Sequence, residues 1–139
     1  MTTIVDALSP AASRKSAAST LERSLPLIGR VLIAAIFLLS GASKIADPAG
    51  SIAYITSVGL PLPALALVGA IVVEIVGGLL LISGYRVRTV AAVLAAFSLA
   101  TAVFFHSALG DQNQFIHFFK NVAMAGGLLQ IVAFGKSRG

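Results

Sequence analysis

The chain contains no cysteine. That excludes thiol nucleophiles, disulfide exchange, thioether-attached haem and cysteine-ligated iron–sulfur clusters. Charge is scarce as well: 11% of the 139 residues are Asp, Glu, Lys or Arg, against 58% hydrophobic ones, and the mean hydropathy is +0.98. A soluble domain carries about a quarter charged residues, so this sequence has too few to cover a water-facing surface. Also missing are a phosphate-cradling glycine loop, a nucleophile elbow and a metalloprotease helix. Gly77-Gly78 lies in the middle of an apolar run and has no phosphate-binding context.

What the sequence has instead is four apolar blocks. A spanning helix needs about 20 mainly apolar residues, which places spans at residues 25–45, 63–82, 89–107 and 115–134. The expected fold is an all-α integral membrane protein, a four-helix bundle over residues 25–135. The length fits that bundle but leaves no room for a separate soluble domain. Residues 1–24 are rich in Ala, Ser and Thr without a sustained apolar stripe; they are expected to form a mobile tail, with a short surface helix as the alternative. Residues 136–139 form a short basic tail. Pro26 suits the first turn of the first span, where a missing N–H costs nothing. Ser40-Gly41-Ala42 after a basic stretch resembles a signal-peptide cleavage site. The apolar run is nevertheless long for a signal sequence, Arg30 interrupts it and the preceding tail is long, so the block is expected to stay as a span.

The connections are legible too. Asp47-Pro48-Ala49-Gly50 is a breaker cluster, and residues 51–58 are expected to form a short interfacial helix with Tyr54 at headgroup depth. Gly59-Leu60-Pro61-Leu62-Pro63 turns the chain into the second span, Gly84-Tyr85-Arg86-Val87-Arg88 is a tight basic loop, and Gly110-Asp111-Gln112-Asn113-Gln114 is polar. Small residues that permit close helix approach are Gly69, Gly77 and Gly78, then Ala92, Ala96 and Ala100, then Ala123, Gly126 and Gly127.

Ten Lys and Arg against five Asp and Glu give a net charge of +5. The basic residues flank apolar blocks with little aromatic interleaving, so lipid headgroups rather than nucleic acid are the expected counter-charge. With four spans, Arg14, Lys15, Arg23, Arg86, Arg88, Lys136 and Arg138 fall on one side, and Lys44, Asp47 and Asp111 fall near the other. The positive-inside rule then places both termini in the cytoplasm.

Glu74 is the main anomaly, a carboxylate within the second apolar block. Ionisable groups inside a span are costly, usually face the protein interior or a wet cavity, and pair with another polar group. Counting about 1.5 Å per residue from the span ends puts Glu74 near the midplane and Arg30 several ångströms away, so an Arg30–Glu74 ion pair is expected. The other polar groups gather toward the outer face. His106 ends the third span, and His117, Lys120 and Asn121 share one face of the fourth at spacings of three and four. They would line a polar vestibule with Glu74 at its floor.

Each of these residues also has a structural reading. Glu74 would then only neutralise Arg30 and fix helix register, Lys120 would snorkel to the interface, and Asn121 would bind helices together. The two histidines would be headgroup or water contacts rather than haem or metal ligands, and no metal site is expected. Phe104, Phe105, Phe115, Phe118 and Phe119 suit lipid packing or a flat ligand such as a quinone.

Arg30 with Leu38-Leu39-Ser40-Gly41-Ala42-Ser43-Lys44 resembles the first-helix signature of the DoxX family of small bacterial membrane proteins. So do Gly59-Leu60-Pro61 followed by Glu74-Ile75-Val76-Gly77-Gly78-Leu79-Leu80 and Gly84, and the run Asn113-Gln114-Phe115-Ile116-His117-Phe118-Phe119-Lys120-Asn121 with Met124-Ala125-Gly126-Gly127-Leu128-Leu129. The resemblance spans about residues 27–131, and the order and spacing of the pieces make it specific. It implies a four-helix bundle, with Arg30, Lys44, Glu74, His117, Lys120 and Asn121 at signature positions. It also implies a link to quinone-coupled oxidoreductases or to complexes that handle oxidative and thiol stress. The expected role is an accessory or quinone-interacting subunit of a membrane oxidoreductase, not catalytic alone, with partner subunits or self-association. The alternatives are a small-molecule transporter or ligand-binding protein, and a structural or assembly factor.

Overall fold

A computed structural model describes residues 10–137. These form five helices in the order α1 (Pro10–Ala46), α2 (Pro48–Ser57), α3 (Pro63–Ser83), α4 (Val87–Phe105) and α5 (Gln112–Phe134). Four of them are long and apolar enough to cross a membrane, over Ala17–Ala46, Pro63–Ser83, Val87–Phe105 and Gln112–Phe134. The fold is an all-α membrane bundle, with no strand among the described residues. Neighbouring spans run antiparallel: α1 lies along α3, α3 along α4, and α4 along α5.

α1 is longer than its apolar run. Its 37 residues extend about 55 Å at 1.5 Å per residue, against a hydrocarbon core of about 30 Å. Residues 10–24, expected within a tail, are therefore helical and continuous with the span. The helix there is carried by good helix formers such as Ala11, Ala17, Ala18, Leu21 and Glu22, and no apolar stripe was present to announce it. Pro26 consequently lies inside the helix rather than in its first turn. It deprives the Glu22 carbonyl of an intrahelical donor, just where the apolar stretch begins. The remainder of the expected tail, residues 1–9, and the final residues 138–139 lie outside the described residues.

Asp47 and Pro48 break α1 and at once start α2. The Asp47 carboxylate accepts from the Gly50 backbone N–H at 3.0 Å, and Pro48 occupies the first helical position, which needs no donor. Gly84 closes α3 in the left-handed region (φ 84°), its N–H bonding the Leu80 carbonyl. Arg88 reaches across to the end of α5, donating to the Val132 and Ala133 carbonyls at 2.7 and 2.8 Å. A guanidinium there satisfies end carbonyls and suits the negative end of the helix dipole.

The close-packed half of the bundle lies toward the α3–α4 turn, where Ala34, Phe37, Leu81, Ala91, Leu94, Ala95, Ala125 and Leu128 form one buried cluster. Glycines allow the closest approaches. A Cβ on Gly77 would come within 2.9 Å of Leu94, and one on Gly78 within 2.9 Å of Leu38. On α4 the buried small residues are Ala91, Ala95, Ser98 and Ala102, whereas Ala92, Ala96 and Ala100, expected as contacts, are exposed. Uniformly apolar sequence carries no polar face to fix helix phase, so alanine spacing alone left that phase open. Large apolar side chains such as Leu32, Leu39, Leu65, Val72, Leu79 and Leu129 point outward, as lipid contact requires.

Candidate functional site

The half of the bundle away from the α3–α4 turn opens into a cavity of about 590 Å³, within the range of about 300–1,000 Å³ usual for small-molecule sites. α1, α2, α3, α4 and α5 all contribute to its walls. Apolar side chains dominate: Phe37, Ile55, Phe97, Phe104, Phe105 and Met124 are among them, and Glu74, Lys44, His106, His117, Lys120 and Asn121 are the convergent polar groups.

Glu74 is 3% exposed and its cation is Lys44. The Lys44 Nζ lies 3.1 Å from both Glu74 Oε1 and Oε2 and donates to Ser40 Oγ at 2.8 Å; Ser40 Oγ in turn donates to Glu74 Oε1 at 3.1 Å. An ammonium has three N–H donors, and here they meet three oxygens. The set is therefore self-contained, a charge-assisted cluster tying α1 to α3 at the edge of the cavity.

The expected Arg30–Glu74 ion pair is not formed. Arg30 does not line the cavity, and its Nε is buried without a hydrogen-bond partner among the described residues. The cause is register. Arg30, Ala34, Phe37, Gly41 and Lys44 are spaced four, three, four and three apart, so both cations lie on one stripe of α1. Gly41 fixes which of them meets the acid: a Cβ there would stand 3.3 Å from the Glu74 Cβ and 2.6 Å from Ile75 Cδ1. Glu74 is thus level with residues 40–44, and Arg30 lies about 16 Å further along the axis at 1.5 Å per residue. Counting depth from span ends treats residues 45 and 63 as level. Instead Pro63 lies eleven residues, about 16 Å, beyond Glu74 along α3, whereas α1 ends within a few residues of that level.

The rim is built from the α4–α5 connection. Asp111 caps α5, accepting from the Gln114 N–H at 3.0 Å, so its carboxylate is occupied away from the cavity. The His106 and His117 rings stack with centroids 5.0 Å apart and planes at 25°. His106 Nδ1 lies 3.1 Å from Gln114 Oε1; with that amide oxygen as acceptor, Nδ1 carries the proton and Nε2 is left as an acceptor. Burial lowers the His106 pKa below its ordinary value of 6.5. The Gln114 bond works against this, and the charges of His117 and Lys120 add to the lowering. The neutral form of His106 is thereby favoured. Imidazole lone pairs lie in the ring plane, so stacked rings do not converge on one metal. No group of three or more His, Cys, Asp or Glu suited to a metal occurs among the described residues. Asn121 donates to the His117 carbonyl one turn back on its own helix at 3.0 Å, and so bridges no helix pair through that bond.

Ser40, Lys44 and Tyr54 belong to the site but were not singled out as site residues from sequence. Tyr54 donates to the Phe105 carbonyl at 3.2 Å, and the two rings meet at 5.4 Å, which seats α2 across the cavity against the end of α4. The recurring four–three spacing from Arg30 to Lys44 was the available signal for Lys44. A tyrosine at a short interfacial helix carried none beyond headgroup contact.

Residues 25–107 match the DoxX family. The chain is similar to inner membrane protein YphA of Escherichia coli K12, with 34% identity over 116 residues, 80% of this chain and 83% of that protein. It is also similar to inner membrane protein YqjF of the same organism, with 36% identity over 109 residues, 78% of this chain and 82% of that protein. No solved structure matches.

Proposed function

The chain belongs to the DoxX family, and from that premise we propose that this inner-membrane protein binds a quinone-type redox carrier as an accessory subunit of a membrane oxidoreductase. The observation that carries the reading is the cavity. It has aromatic walls in Phe37, Phe97, Phe104 and Phe105, and its lining also holds the acid–ammonium cluster, the stacked histidine pair and Lys120. A quinone is a flat apolar ring edged with acceptor oxygens, so it matches aromatic walls that carry the unengaged Lys120 ammonium as a donor. Its reduction takes up protons as well as electrons. Glu74 and His106 are the groups placed to pass protons, while the electrons come from a partner subunit, since the residues themselves offer no redox centre. Protein isolated gently from the membrane is expected to retain quinone near one per chain, read by solvent extraction and chromatography. Retention no greater than in an unrelated four-span protein of equal apolar surface would refute the reading.

Within the same proposal both termini face the cytoplasm, since Arg14, Arg23, Arg86, Arg88 and Lys136 gather at one end of the antiparallel bundle and Asp47 and Asp111 at the other. The absence of native cysteine makes labelling direct. A membrane-impermeant maleimide should reach Gln112→Cys from outside intact cells and Lys136→Cys only after lysis. The opposite pattern would invert the topology.

A further inference from the structure

We infer that the cavity is built for a ligand carrying one negative charge, a phenolate or carboxylate on a flat aromatic body, with Lys120 as its counter-ion. The inference rests on the reading of the cavity as a ligand site and deepens it by naming the charge of the occupant.

The charged and titratable groups around the cavity are Lys44, Tyr54, Glu74, His106, His117 and Lys120. Among them stand two ammonium groups and one carboxylate. Lys44 and Glu74 cancel, and their donors and acceptors are turned on each other and on Ser40. Tyr54 spends its hydroxyl on the Phe105 carbonyl. Lys120 is left over: it has no hydrogen bond or ion pair to any described residue, and Glu74 is the one carboxylate in the wall. Asp111 and Asp47 do not line the cavity; their carboxylates hold the N-termini of α5 and α2. Neither histidine changes the sign, because protonating either would only add positive charge.

Position makes this excess consequential. Lys120 lies eight residues into α5, about 12 Å along the helix from Gln112 at 1.5 Å per residue; it is exposed, and Phe104 and Phe105 line the same cavity. An ammonium in such surroundings is costly unless an anion or water meets it. An anion in the cavity would gain a counter-ion at its charged edge and aromatic walls along its face, and it would supply the missing negative charge. A neutral ligand would leave Lys120 without one.

The test compares three probes on the full chain in an uncharged detergent, by titration calorimetry at pH 8. They are 2-hydroxy-1,4-naphthoquinone, which is anionic at that pH, its neutral 2-methyl counterpart, and 1-hydroxy-2-naphthoate, an anion that is not a quinone. The anionic quinone is expected to bind about tenfold or more tighter than the neutral one, a difference of about 1.4 kcal/mol. Lys120→Met should abolish that preference, and Lys120→Arg should keep it. Equal or tighter binding of the neutral quinone by the unmodified chain overturns the inference while leaving the quinone reading in place. A preference that survives Lys120→Met also overturns it, since Lys120 then only snorkels to the interface. Binding of the naphthoate without either quinone upholds the anion and removes the quinone. Failure of all three probes overturns both.

Discussion

Lys44→Met is expected to destabilise the bundle by about 3–5 kcal/mol, the cost of leaving a buried charge without its partner. The Glu74 side chain is 4% exposed and that of Lys44 is 25% exposed, so the two single variants should differ. Removing Lys44 strands an acid that has little access to water. Glu74→Gln instead strands an ammonium that can turn toward the cavity mouth, and should cost less. The double variant Lys44→Met with Glu74→Gln should recover most of the loss, because a neutral amide beside Ser40 needs only hydrogen bonds. Arg30→Ala should not couple to either position, lying along α1 about 16 Å from the level of Glu74 and about 21 Å from Lys44. Thermal unfolding in detergent, followed by helical circular dichroism and arranged as a double-mutant cycle, measures these terms. A cycle in which Arg30 rather than Lys44 couples to Glu74 would contradict the register of α1 against α3.

The second large effect concerns the cavity itself. Ala70 lines it one turn before Glu74 on the same face of α3. Ala70→Phe projects a ring into the space a ligand would occupy and leaves every member of the charged cluster in place. Ligand retention should fall by about 100-fold, close to 2.7 kcal/mol. The unfolding temperature should hold or rise, because the ring fills open volume with apolar contacts. This separates the cavity from the ion pair: the charge variants disturb folding and binding together, whereas Ala70→Phe should disturb binding alone. Unchanged retention in a folded Ala70→Phe protein would place the ligand elsewhere on the molecule.

Much of the molecule can be read along the chain. The four spans stand out because hydrocarbon demands long apolar runs and hydrogen-bonded backbone within each of them. The polar groups at the end away from the α3–α4 turn were legible for a related reason: charged and imidazole side chains are too costly in a span to occur without a local use. Their common face on α5 follows from spacings of three and four. α1 shows the limit. Its N-terminal extension over residues 10–24 is helical without an apolar stripe, so the periodicity that marks a buried helix had nothing to act on. The small residues of α4 show it too: Ala91, Ala95 and Ala102 are buried and Ala92 and Ala96 are not, yet all are alanines and their spacing is equally regular.

By itself, then, the sequence determined that this is a membrane bundle of four spans with a costly acid and a polar cluster at one end, since those properties depend on composition and on distances along one helix. Which cation meets that acid, and that rim and acid share one cavity, was decided only by tertiary structure. Helix register depends on side-chain contacts between segments far apart in the chain, here the seating of Gly41 against Glu74 and Ile75. A slip of one helical turn moves every partner by about 5.4 Å, which no pattern within either helix can reveal.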